Sequence, residues 1–179
     1  KCFTAVEILH LSWLAKKSVP EVLAEFKSLG LDSLTGGGAE IFRKEVRDRI
    51  AIGKETAGEY LDVHRNWHRL GGRSTCTMLF GHLETLDDRV DHLRQLRELQ
   101  DETGGFSGFV PLPYQPDNNG IPVEHRPTGF DTLRTLAVAR EGLKDGHRAC
   151  AEYLVRVRRG DVESSNGALA LRSREDAEA

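Results

Sequence analysis

The chain has 179 residues, 39% of them hydrophobic and 30% charged, with a formal net charge of −3. That length suffices for one domain with a real core, and the balance leaves no broad basic field to favour nucleic acid or an anionic membrane as partner. No run of about 18 apolar residues is present, so no transmembrane helix is expected. Three scattered cysteines, Cys2, Cys76 and Cys150, show no C-x-x-C spacing, so neither a disulfide framework nor a self-contained metal site is expected. A reducing cytoplasm is the default location. No secretory signal opens the chain, and its start at Lys1 rather than Met hints at a fragment or a processed end.

In chain order, residues 1–6 ("KCFTAV") read as a short strand. Residues 18–30 read as a helix, capped by Ser18, with Pro20 and Glu21 in its first turn and Gly30 ending it. Its apolar positions Val22, Leu23, Phe26 and Leu29 fall on one face. A strand over 31–35 leads into the glycine run, and helices follow near 43–50 and 55–70. The second carries a capping box at Thr56 and Glu59 and stops at Gly71 and Gly72. Residues 73–80 have strand composition. The spacing then predicts a helix over 85–102, with Thr85 as cap and Leu86, Val90, Leu93, Leu96 and Leu99 as its buried stripe. A strand over 105–113, a proline-rich loop and a helix over 131–140 complete this part.

Strands alternating with helix-length crossovers imply α/β structure with a parallel sheet and outer helices, over a domain of residues 1–140. Residues 141–179 form a second, divergent segment with 15 charges in 39 residues, in which "YLVRVRRGDV" is a possible short strand and the end a solvated tail. The unusual polar residues each follow a strand: Glu7, then "GGGAE" (36–40), "GHLET" (81–85) and "PYQPDNN" (113–119). In barrels and open sheets that edge binds ligands.

The run Gly36-Gly37-Gly38 is followed by no Lys-Ser/Thr and fits no G-x-G-x-x-G pattern, so it is not a phosphate loop. Either it is a plain tight turn, or it lets backbone approach a flat ligand while Glu40 accepts hydrogen bonds from that ligand's hydroxyls, amine or base edge. His82 and Glu84 are candidates for acid–base work or ligand contact, with helix entry as the plainer role for Glu84. His64 and His68 have the i, i+4 spacing of a metal pair, but no third ligand is evident, so a helix surface is the better reading. His92 reads as solvated, and Trp13 and Trp67 as packing residues. Tyr114 and Asn118 belong to a loop that shapes a pocket wall or simply turns the chain.

The stretches "FTAVEI", "LGLDSLTGGGAEIF", "TCTMLFGHLET", "RVDHLRQLRELQDETGGFSGFVPLPYQPDN" and "RPTGFDTLRTLAVAR" together resemble the radical S-adenosylmethionine enzymes of the futalosine route to menaquinone. The similarity runs from residue 1 to about Arg140 and is greatest to the aminodeoxyfutalosine synthase family. The cyclic dehypoxanthinyl futalosine synthases and the FO synthase subunit are similar sisters.

The resemblance implies the later portion of a (β/α) TIM-like barrel. It also implies a [4Fe–4S] cluster that cleaves S-adenosylmethionine to methionine and a 5′-deoxyadenosyl radical, which adds to 3-[(1-carboxyvinyl)oxy]benzoate to give aminodeoxyfutalosine. A small-molecule substrate and a reductant such as flavodoxin or ferredoxin follow from it. On this reading Glu7, Gly36, Gly37, Gly38 and Glu40 line the S-adenosylmethionine site, and Glu40, His82 and Glu84 act in catalysis. Thr4, Tyr114 and Asn118 line the substrate pocket. The family's C-x-x-x-C-x-x-C cluster motif is absent, so this chain is expected to hold no metal and to be inactive alone. The rival reading is a non-catalytic nucleoside-binding half-barrel module.

Overall fold

The computed structural model describes residues 2–123 and 126–143, together with 164–165 and 168–169. The expected short strand at "YLVRVRRGDV", the character of the tail and Cys150 lie outside the described residues. Three parallel strands form the main sheet: β1 (Ser33–Leu34), β2 (Arg73–Phe80) and β3 (Phe106–Pro113), side by side in chain order. Helices α3 (Lys44–Ile50) and α4 (Ala57–Arg69) connect β1 to β2, and α5 (Leu86–Thr103) connects β2 to β3. Before the sheet come α1 (Ala5–Ala15) and α2 (Val19–Ser28), and after it α6 (Gly129–Gly142), slightly longer than the expected 131–140. Ser164–Ser165 (β4) and Ala168–Leu169 (β5) make a small antiparallel pair. The sheet with its outer helices is a sector of a (β/α) barrel, as expected.

On β2 the alternation is strict. Ser74, Cys76, Met78 and Phe80 are buried, while Thr75, Thr77 and Leu79 face the other side, half-buried. Tyr60, Val63 and Trp67 of α4 and Leu96 and Leu99 of α5 belong to the same buried core. On β3, Val110 and Leu112 remain exposed. In a closed barrel alternate strand residues point inward.

Several expectations need correcting. Residues 1–6 do not form a strand. Thr4 caps α1 and Glu7 closes a capping box with it, so the chain turns helical at Ala5. Only the extended residue before the cap joins the sheet region, where Phe3 O accepts Thr35 N–H at 2.9 Å. Leu29 is exposed because it caps α2 rather than lying on its buried face. Leu86 and Val90 are likewise exposed, where they line an open groove between α5 and Arg134, Thr135 and Val138 of α6. Trp13 is 74% exposed, whereas Trp67 is buried as expected.

His64, His68 and His92 are all buried. His64 Nδ1 and His68 Nε2 both meet Ser74 Oγ, at 2.9 and 2.7 Å. His68 Nδ1 meets Thr103 Oγ1 at 2.8 Å, and that hydroxyl donates to Leu99 O. The carbonyl fixes the direction of the whole chain of bonds. Thr103 must accept from His68 Nδ1–H, Ser74 must donate to His68 Nε2, and His64 Nδ1–H must donate to Ser74. All members are neutral. Burial holds His64 and His92 down to about 3 and His68 to about 4.

Candidate functional site

Three strand-end loops meet at the C-terminal edge of the sheet: 35–43 after β1, 81–85 after β2 and 114–119 after β3. Each is tied to its neighbour through backbone. Leu79 N donates to Glu40 O at 2.7 Å, and Tyr114 N donates to Phe80 O at 2.8 Å. The three loops are therefore one rim.

The glycine loop folds against β2. A Cβ on Gly36 would stand 2.5 Å from Cys76 Cα, so the missing side chain makes room for the neighbouring strand itself. Gly36 N donates to Thr75 Oγ1 at 3.0 Å, and its carbonyl accepts from Tyr60 Oη and Thr77 Oγ1 at 2.9 and 2.6 Å. Gly37 is more open, with Thr4 Cγ2 3.3 Å from the place of a Cβ. Gly38 has φ +95° and Glu40 has φ +46°. A left-handed conformation is uncommon for a residue with a long side chain, and here it sits at a strand end beside two other polar loops. Glu40 Oε1 accepts from Lys54 Nζ at 2.8 Å, and the side chain is 21% exposed. Arg47, Lys54 and Glu55 support this loop from the 44–55 segment. Sequence reasoning missed all three, because "KEVRDRI" around Arg47 carries the charge density of a solvated helix and Lys54 and Glu55 lie in the short connection that follows it.

The 81–85 loop is organised by Glu84. Its buried carboxylate accepts Gly81 N–H at 2.6 Å and His82 N–H at 2.9 Å, and Arg89 closes on it at 2.7 and 2.8 Å. Arg89 also donates to Thr135 Oγ1 at 3.0 Å, tying α6 to the rim. His82 is buried beside it. Its Nε2 donates to Leu79 O at 3.0 Å, and Nδ1 accepts Leu83 N–H at 2.7 Å while lying 3.0 Å from Glu84 Oε2. Burial lowers the His82 pKa against the pull of Glu84, which fits a neutral imidazole in this tautomer. In the described residues the polar atoms of both side chains are engaged with the chain itself.

Tyr114 is buried with its ring edge-on to His82, and its hydroxyl donates to Ile121 O at 3.3 Å. Asn118 stands exposed at φ +59° in the turn beyond. Thr4 and Glu7 are joined to each other at the first turn of α1, with Thr4 N and Oγ1 both donating to Glu7 Oε2 at 2.8 Å. The rim thus brings together the 36–40 loop, His82, Glu84 and Tyr114. Thr4 reaches it through Gly37, while Asn118 is exposed in the outer turn of the 114–119 loop.

A barrel sector whose strand ends carry a glycine loop with a left-handed acid and a buried His–Glu loop defines a class, and the sequence model of the radical SAM superfamily matches residues 3–96. The chain belongs to the radical SAM superfamily. Within it the chain is similar to aminodeoxyfutalosine synthase of Thermus thermophilus, with 51% identity over 144 residues, covering 78% of this chain and 39% of that protein. The Streptomyces coelicolor aminodeoxyfutalosine synthase is 44% identical over 150 residues, again 78% of this chain and 39% of that protein. Cyclic dehypoxanthine futalosine synthase of the same organism is 42% identical over 136 residues, 76% of this chain and 34% of that protein. The chain spans about two fifths of the length of these relatives.

The superfamily implies a [4Fe–4S] cluster and S-adenosylmethionine. Among the described residues no three His, Cys, Asp or Glu side chains are grouped to hold a metal. Cys2 is exposed and Cys76 is buried within β2. These residues do not make a cluster site. No helix among the described residues is long and apolar enough to cross a membrane.

Proposed function

We propose that this chain forms the later wall of an aminodeoxyfutalosine synthase barrel, with its rim lining the site for the adenosyl group. The whole protein would then join a 5′-deoxyadenosyl group, drawn from S-adenosylmethionine at a [4Fe–4S] cluster, to the enolpyruvyl ether of 3-[(1-carboxyvinyl)oxy]benzoate. A small reductant protein of the flavodoxin or ferredoxin kind would supply the electron. The observation that carries this reading is Glu40, a carboxylate held in left-handed backbone at the rim of a superfamily barrel sector. Gly37, the more open of the three glycines, leaves backbone near it accessible to a flat ligand. Glu40 accepts hydrogen bonds from nucleoside hydroxyls or the base edge. His82 and Glu84 keep the 81–85 loop in the shape that faces the substrate, and Tyr114 closes the wall behind His82.

The test uses the full-length protein carrying Glu40→Gln. Adduct formation from the enolpyruvyl benzoate is expected to fall on the order of a hundredfold, as for loss of a charge-assisted hydrogen bond at a partly buried site. Unchanged turnover removes Glu40 from the site. A non-catalytic nucleoside-binding module is the rival reading. Iron and sulfide analysis of the purified full-length protein separates the two. A sister activity would show instead as turnover of dehypoxanthinyl futalosine.

A further inference from the structure

Beneath the glycine loop lies a buried pair, Arg47 and Glu55, whose side chains are 5% and 1% exposed. Arg47 donates from Nη1 to Ala39 O at 2.6 Å, from Nη2 to Gly38 O at 2.9 Å and from Nε to Glu55 O at 2.7 Å. Its planar fork thus fixes the two consecutive carbonyls that precede Glu40, which a flexible ammonium does less well. Glu55 stands differently. Its Oε1 is 3.5 Å from Arg47 Nη2, and neither carboxylate oxygen has a hydrogen-bond partner among the described residues. That same Oε1 is 2.6 Å from where a Gly38 Cβ would stand, with Val6 Cγ2 3.6 Å from that point.

A buried carboxylate without a donor is costly to keep. What it does there is steric and electrostatic. It fills the gap left by Gly38, offsets the buried charge of Arg47 and leaves the guanidinium donors to the loop carbonyls. Gly38 is required for its φ of +95° and for the space that Glu55 occupies.

We infer that Glu55, acting with Arg47, is a positioning residue that sets the left-handed backbone at Gly38 and at Glu40 and so the place of the Glu40 carboxylate toward a bound nucleoside. This rests on the proposal that Glu40 contacts that nucleoside.

The probe is 5′-deoxyadenosine, its binding to the full-length protein measured by equilibrium dialysis. Glu40→Gln tests the underlying proposal first. If it leaves affinity unchanged, the contact and the positioning role both fail. Where Glu40→Gln does weaken binding, Glu55→Gln is expected to weaken it on the order of tenfold, and the double variant to bind no more weakly than Glu40→Gln alone, because Glu55 acts through Glu40. An unchanged affinity in Glu55→Gln, or losses that multiply in the double variant, overturns the positioning role while leaving the Glu40 contact standing. Arg47→Lys keeps the charge and removes the fork, and the same non-additivity is expected of it. It decides the matter should Glu55→Gln fail to fold.

Discussion

Glu84 and Gly36 show how much of the rim rests on single residues. The Glu84 carboxylate accepts two backbone N–H groups and faces Arg89 from a fully buried position. Removing it leaves two donors and a guanidinium without their acceptor, so Glu84→Ala is expected to lower unfolding free energy by about 3–5 kcal/mol, read from urea denaturation. A loss under about 1 kcal/mol, the range of surface pairs, means that the carboxylate is not the organiser of this loop. Gly36→Ala probes a different force. Its Cβ would meet the backbone of Cys76, which cannot swing aside as a side chain does. About 1–3 kcal/mol of destabilisation is expected from that overlap. A variant as stable as the parent means that β1 and β2 separate more readily than their close approach implies.

At the scale of elements, what the sequence discloses depends on how far away the cause lies. β2, α4 and α5 were legible because alternation, a capping box and a glycine stop are local signals. The start of α1 carries an equally local signal, Thr4 and Glu7 three residues apart, but the β-branched and aromatic residues around it favour the competing strand reading. The buried histidines were not legible. His64 and His68 bond Ser74 of β2 and Thr103 at the end of α5, and His92 of α5 bonds Thr77 O of β2, so only the packing of three elements makes them core residues. Arg47 and Glu55 were hidden for the same reason, since carbonyls of the glycine loop hold the arginine. Ser74 links the histidines as acceptor for one and donor to the other. Ser74→Ala strips both, leaving His64 Nδ1–H and His68 Nε2 buried without partners, and is expected to cost about 2–4 kcal/mol by denaturant unfolding. Ser74→Thr, which keeps the hydroxyl, separates the hydrogen bonds from the volume. It is expected to recover stability only if the pocket admits one methyl group.

For the whole molecule, these histidines couple folding to pH. His64, His68 and His92 come from two helices that flank β2, so no local unfolding of one element exposes them all. Burial depresses their pKa to about 3, 4 and 3, below the ordinary 6.5 of the unfolded chain. A depressed folded pKa gives stability that is fully present above the unfolded value and is lost as pH falls from 6.5 toward the folded value. From pH 7 to pH 5 each histidine therefore removes about 2 kcal/mol. Three such losses are comparable with the whole stability of an ordinary domain, about 5–15 kcal/mol. His82, also lowered by burial, adds in the same direction. Glu55 works the other way, because burial raises its pKa and its protonation favours the folded state over part of the range above 4.5. The capping carboxylates Glu7, Glu59 and Asp131, all lowered by bonds to their cap threonines, weaken the fold only at more acid pH, below their unfolded values. Urea midpoints measured at pH 7.5, 6 and 5 are thus expected to fall steeply over the last interval, with a slope near three protons. His92→Gln keeps a polar side chain at the site but does not titrate, and is expected to reduce that slope by about one proton. A midpoint that stays level from pH 7.5 to 5 contradicts the neutral network under the sheet, whatever the rim above it binds.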